Sequence, residues 1–151
     1  MKATDQTQFG DPDGNCWVAC MASILELSLE DLPDPRGPTW MGDWRAWLRR
    51  WNLSLVRVDI VADGDHPCRM GEVPNVGFVP PGMTILSGVS PRGILHSTVA
   101  MNGRMLHDPH PSRAGLDAVR DWTIFTVLSP ALRVHKVFAA HATRLKEVDG
   151  G

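Results

Sequence analysis

The sequence predicts an α+β domain in which an N-terminal helix carrying a cysteine packs on a small antiparallel sheet carrying a histidine and an aspartate. Three observations predict it. A run of turn formers, Asp11-Pro12-Asp13-Gly14-Asn15, leads straight into apolar residues at helical spacing (Trp17, Cys20, Met21, Ile24, Leu25), which places Cys16 in the first helical turn. The second half of the chain carries β-rich runs at residues 83–89, 94–101 and 122–128, each bounded by Gly, Pro or Asn. Between residues 94–101 and 104–109 stands Asn102-Gly103, the strongest hairpin signal in the chain.

The other elements follow in order. Residues 1–15 read as an extended lead-in, and the first helix spans about 16–27. Ser28-Leu29-Glu30-Asp31 has capping-box spacing and is stopped by Leu32-Pro33. Pro33, Pro35 and Pro38 stiffen the connector to a second helix over about 39–51, with Thr39 as N-cap. Trp40, Trp44, Trp47, Leu48 and Trp51 share one face of that helix and read as core. Residues 53–60 alternate as a strand, whereas 62–81 are irregular, with Val76-Gly77-Phe78-Val79 as a strand fragment and Cys68 as a loop cysteine. Residues 131–148 read as a helix.

With 151 residues, 43% hydrophobic and 21% charged, the chain is sized for one domain (1–130) plus a helical or flexible tail (131–151). A net charge of −2 without a basic stripe argues against a nucleic-acid partner. No stretch approaches the ~20 apolar residues of a membrane span, and the polar first ten residues hold no signal-peptide core, so no membrane partner and a cytoplasmic location are expected. Three cysteines without paired spacing fit a reducing compartment.

A cysteine at a helix N-terminus meets free amide N–H groups and the positive end of the dipole, both of which favour the thiolate. Cys16 is therefore the candidate nucleophile, while Cys20 follows the apolar stripe and packs as a small hydrophobe. A nucleophilic cysteine needs an imidazole base held by a third polar group. With a three-residue loop at Met101-Asn102-Gly103, His96 comes directly opposite Asp108 on one face, at a Cβ separation of ~5 Å. His96 is accordingly the base and Asp108 its orienting group. His107 and His110 flank Asp108, yet that spacing supplies too few ligands for a zinc site, so no metal is expected. The oxyanion donors are the Cys16 backbone N–H and a side-chain amide, from Gln8 or alternatively Asn15. Trp17, beside the nucleophile, and Trp44 on the second helix, with Trp40 as its alternative, are the candidate substrate-binding side chains.

Gln8, Gly14-Asn15-Cys16-Trp17 opening a helix, His96 on a strand and Asp108-Pro109 on the next, in that order, resemble the papain-like cysteine peptidase superfamily. The arrangement around His96 and Asp108-Pro109 is most similar to small C39-like (bacteriocin-leader-processing-like) domains of bacteria and their phages. The resemblance spans about residues 8–128. It implies a papain-like fold without cofactor and a thiol-dependent hydrolase that cleaves a peptide or isopeptide bond of a peptide or protein substrate through a thioester. An acyltransferase or amidase acting on a small molecule with the same triad, or an idle peptide-binding module, are the alternatives that the same residues allow.

Overall fold

Helix α1 (Cys16–Leu25) ends where Glu26 turns left-handed (φ 58°) and returns its N–H to the Ala22 carbonyl. The computed structural model describes residues 1–10, 12–34, 36–60 and 64–129; the expected helix over 131–148 lies outside them. Every residue of α1 from Val18 to Leu25 is buried, which is more than an amphipathic stripe accounts for. One side of α1 packs on the sheet. The other is covered by the N-terminal segment, where the Lys2 N–H donates to the Ser23 carbonyl (3.1 Å) and the Thr4 N–H to Ser23 Oγ (2.9 Å).

A 3₁₀ turn (Leu29–Asp31) follows without a side-chain cap from Ser28. Helix α2 (Trp40–Leu48) then tightens into a second 3₁₀ turn (Arg49–Trp51), so the expected single helix to Trp51 is in two pieces. Thr39 precedes α2 without capping it, because its hydroxyl donates instead to the Asp43 carboxylate (2.9 Å). The tryptophan stripe does form core. Trp17, Trp44, Trp47 and Trp51 stand edge to face in sequence, with centroids 4.9, 5.3 and 4.5 Å apart, a geometry that suits the ring quadrupoles.

The sheet contains β1 (Leu53–Asp59), β2 (Met83–Val89), β3 (Leu95–Met101), β4 (Arg104–His107) and β5 (Ala118–Val127). Its order is β1-β5-β2-β3-β4, and all pairings are antiparallel, so the protein is α+β. One face meets the helices through Leu53, Leu55, Met83, Ile85 and Val99. The other is covered by the long β1–β2 connection, with Cys68 and Leu116 sealing a second core around Leu86, Met105 and Trp122.

Two local expectations differ from the structure, the strand fragment at 76–79 and the hairpin loop, whereas Cys68 is in a loop as expected. Residues 76–79 pair with no strand, and Phe78 is exposed. Cys68 lies in irregular chain but is fully buried, its thiol directed at the Glu72 carbonyl (3.5 Å). The hairpin closes through a two-residue turn, since Met101 pairs with Arg104 and both Asn102 (φ 50°) and Gly103 (φ 78°) are left-handed. The expected three-residue loop is thus incorrect. A bulge one pair further on, where Val99 faces His107 and Ala100 faces Met105, leaves Leu106 unpaired and resets the register.

Gly88 lies opposite His96 where β2 shifts register against β5. A Cβ there would stand 2.0 Å from the Ala118 carbonyl oxygen, so the two strands would have to part. Gly88→Ala is expected to destabilise the fold by about 1–3 kcal/mol. Gly42→Ala in α2, where a Cβ meets nothing within 4 Å, should be neutral or stabilising by up to about 1 kcal/mol. Urea midpoints of the two variants check the contrast.

Candidate active site

Cys16 is the first residue of α1, and α1 lies on β3, the strand that carries His96. The His96 imidazole and the Cys16 thiol face one another in the same cleft, near enough that each shifts the other. His96 Nε2 is 2.7 Å from Asp108 Oδ1, with both side chains buried, which leaves Nδ1 for the thiol. Asp108 stands one residue beyond the end of β4 and is itself held. Its Oδ1 also accepts the His110 N–H and its Oδ2 the Gly115 N–H, both at 2.8 Å. The expected contact between His96 and Asp108 is therefore present, although the ladder does not set it directly. Carried past β4, the register after the bulge would bring His96 opposite His110, and those rings do lie edge to face at 6.1 Å.

The electrostatics follow from these contacts. Burial pushes the Cys16 thiol up, but the hydrogen bond and charge of His96 and the backbone N–H of Ser97 together hold it below the ordinary value. Burial disfavours the His96 cation, and the bonds to Asp108 and Cys16 outweigh it, so the imidazole is raised. Asp108 is lowered because His96, Gly115 and His110 overcome its burial. One thiol lowered beside one imidazole raised is the pattern of a thiolate–imidazolium pair. The other cysteines move the opposite way: burial pushes Cys20 far up and Cys68 up to about 11.

His110 is not a competing base. The Ser112 N–H donates to its Nδ1 (3.1 Å), which fixes the ring proton on Nε2, and burial followed by the charge of Arg92 lowers its basicity.

Two cavities meet at Cys16 and His96. The larger, about 540 Å³, is an open cleft walled by Trp17 and Trp40 and floored by Ser87, Gly88, Ser97 and Asp121. The smaller, about 120 Å³, is lined by Gln6, Phe9, Gly10, Gly14 and His110. Trp17 is thus at the cleft as expected. Trp44 is not: it is fully buried between α1 and β1, and Trp40, four residues earlier on the same helix, reaches the cleft instead.

The amide partners also differ from expectation. Gln8 has an exposed side chain and lines a separate cavity behind the loop before α1. Asn15 is committed elsewhere, its Oδ1 accepting the Thr7 and Gln8 N–H groups (both 3.0 Å) and its Nδ2 donating to Thr7 Oγ1 (3.1 Å). Gln6 is the amide at the site. It is 7% exposed, its Nε2 donates one hydrogen to the Gln8 carbonyl (2.8 Å), and its Oε1 is buried without a partner.

Gln6 is placed by contacts that sequence spacing does not show. Its N–H donates to the Pro109 carbonyl (3.0 Å), Arg113 bridges Asp5 to the Asp108 carbonyl, and His107 Nε2 donates to the Thr4 carbonyl (2.9 Å). The residues between Gln6 and Cys16 are taken up by a loop closed by the Gly14 N–H on the Gly10 carbonyl (2.9 Å). The nearer glutamine in sequence was the natural choice, and only the loop shows that it is turned away.

Among the described residues no group of three or more His, Cys, Asp or Glu could hold a metal ion, and no helix is long and apolar enough to cross a membrane. No family model, curated protein or solved structure matches the chain.

The pH dependence of Cys16 alkylation follows from the signs. Iodoacetamide reactivity should rise as pH climbs through the lowered Cys16 value and so persist well below the range of an ordinary thiol. In His96→Ala, burial acts on the thiol without its partner, and the same limb should move above that range. Rates by mass spectrometry between pH 5 and 10 check both; an unmoved limb in His96→Ala would remove His96 from the assignment.

Proposed function

We propose that this chain is a papain-like thiol hydrolase that cleaves a peptide or isopeptide bond with Cys16 as nucleophile, His96 as general base and acid, and Asp108 as the orienting carboxylate. One observation carries the reading. A buried imidazole bonds a buried carboxylate through Nε2 at 2.7 Å, which leaves its other nitrogen for the half-buried cysteine beside it at the mouth of a cleft and the start of a helix. The papain-like architecture is supported by that helix lying on an antiparallel sheet with the histidine strand beneath it, in the chain order Gln6, Cys16, His96, Asp108.

The acid, base and nucleophile all come from the chain, and water is the co-substrate. His96 accepts the Cys16 proton, and the sulfur attacks the substrate carbonyl carbon. The developing oxyanion is met by the Cys16 backbone N–H, which at the first helical position has no acceptor within the helix, and by the second Nε2 hydrogen of Gln6. Imidazolium then protonates the departing amine, leaving a thioester. His96 deprotonates a water that attacks the thioester, and the tetrahedral intermediate collapses to expel the thiolate and release the acid. Asp108 holds the imidazole and favours its cation without itself taking the proton. The open cleft and its two tryptophan walls accommodate an extended chain on the acyl side.

The test begins with brief, sub-stoichiometric iodoacetamide at pH 6, with the label mapped by peptide mass spectrometry. Label concentrated on Cys16 and absent from Cys20 and Cys68 is expected; label spread over all three would defeat the reading. On a peptide or amide substrate found by screening, Cys16→Ala should abolish hydrolysis. Gln6→Ala should cost about 10²–10³ in kcat, the range for loss of one oxyanion donor. Gln8→Ala should leave the rate unchanged, and a loss there equal to that of Gln6→Ala would reverse the amide assignment.

A further inference from the structure

A row of polar residues crosses the sheet on the cleft floor. Ser97 on β3 pairs with Ser87 on β2, Ser87 with Asp121 on β5, and Asp121 with Asp59 on β1. Cys16, Ser97, Ser87 and Asp121 all line the same cleft. Ser97 Oγ and Ser87 Oγ are 3.0 Å apart and Arg57 bonds Asp121 Oδ2 at 2.8 Å; at the two ends the Ser97 hydroxyl faces the Cys16 sulfur and the Ser87 hydroxyl faces Asp121, near enough that each favours the ionised form of the group it faces. Asp121 is buried and takes no part in the mechanism above.

Counting protons gives the row a property that its members lack singly. Between sulfur and carboxylate there are three links and two serine hydroxyls, and each hydroxyl has one proton to donate. All three links are filled only when an end supplies the third proton, either as the Cys16 thiol donating to Ser97 or as a protonated Asp121 donating to Ser87. When both ends are ionised, one link holds facing lone pairs. Burial and the charge of Asp59 outweigh the opposing charge and hydrogen bond of Arg57 and leave Asp121 with a raised carboxyl, which brings the two ends closer in proton affinity.

We infer that Asp121 is a positioning residue that acts on Cys16 through Ser87 and Ser97, holding back the thiolate in the resting protein by competing for the hydroxyl protons that would stabilise it. The row is a brake on the nucleophile. It lies under the acyl side of the cleft, so a substrate N–H donor that reaches Asp121 releases Ser87 and turns the hydroxyls toward sulfur. Other charged or titratable groups near the row are Arg57 and Asp59 on β1, Arg120 on β5, His96 on β3, and Arg36 at the cleft rim. The inference rests on the proposed role of Cys16, but it concerns the difference between variants, which is measurable for any titrating thiol.

The test is the pH profile of Cys16 alkylation in wild type, Ser87→Ala, Asp121→Asn, Ser97→Ala and the Ser97→Ala/Asp121→Asn pair. Ser87→Ala leaves all charges in place and frees Ser97 to donate to sulfur. It should lower the Cys16 midpoint by about half to one unit, a three- to tenfold gain in thiolate on the acid limb. Asp121→Asn should shift the midpoint the same way, because the amide donates to Ser87, and Ser87→Thr should restore the wild-type value. In the Ser97→Ala background, Asp121→Asn should have less than a twofold effect. An unchanged or raised midpoint in Ser87→Ala overturns the inference, as does an Asp121→Asn shift that survives loss of Ser97, which would then be charge acting through space. Absence of label on buried Cys20 and Cys68 verifies that each variant is folded. A wild-type Cys16 with an ordinary thiol profile defeats the proposed function, and the Ser87→Ala comparison still decides the inference.

Discussion

The contact on which the rest of the site depends is the buried bond between His96 and Asp108. A carboxylate withdrawn from water is costly unless its lone pairs are filled, and here His96, His110 and Gly115 fill them. The Asp108 carbonyl is met by Arg113, which also bonds Asp5 on the N-terminal segment. One residue thus orients the imidazole, anchors the loop after β4 and ties down the segment that carries Gln6. Its energetic satisfaction and the assembly of the site are the same set of bonds.

That tie explains the position of α1. A helix buried on all sides needs cover on the side facing away from the sheet, and the N-terminal segment supplies it through Ser23. The segment reaches Ser23 at one end and Pro109 at the other, so Gln6 is fixed relative to both Cys16 and His96. Placement of Cys16, His96 and Gln6 is over-determined by the packing of three separate stretches of chain.

Much of this was legible in sequence where the signal was local. The loop-to-helix junction at Cys16 and the strand at residues 83–89 were read to the residue, since turn formers and apolar periodicity mark both. The hairpin was legible as a hairpin, and its register was not. The turn is the ordinary two-residue form, and a bulge at Leu106, which no residue type announces, shifts the register one residue further, toward His110. His96 and Asp108 were paired correctly for a reason that does not hold, because the aspartate reaches back from beyond the strand. Gln6 was illegible: its distance from Cys16 is absorbed by a loop, and its anchor is Pro109, far along the chain. Trp44 and Trp40 share a helix face, and which of them meets the cleft depends on how α2 is set against α1.

The site is also where the fold departs from its own stability optimum. Asp108 is lowered, so its contribution to stability is present above its unfolded value and lost as pH falls through the folded one. Asp121 is raised, so the sign reverses: its contribution is present below the unfolded value and lost as pH rises through the folded one. Two buried carboxylates, one just beyond β4 and one on β5, therefore pull stability in opposite directions at neutral pH. The buried, unpartnered Oε1 of Gln6 adds a further cost of about 1–3 kcal/mol, the desolvation of an unsatisfied polar group. A sequence under pressure for stability alone would remove both Asp121 and Gln6. Their burial beside Cys16 and His96 is intelligible when the groups are held ready for something the resting protein does not itself satisfy.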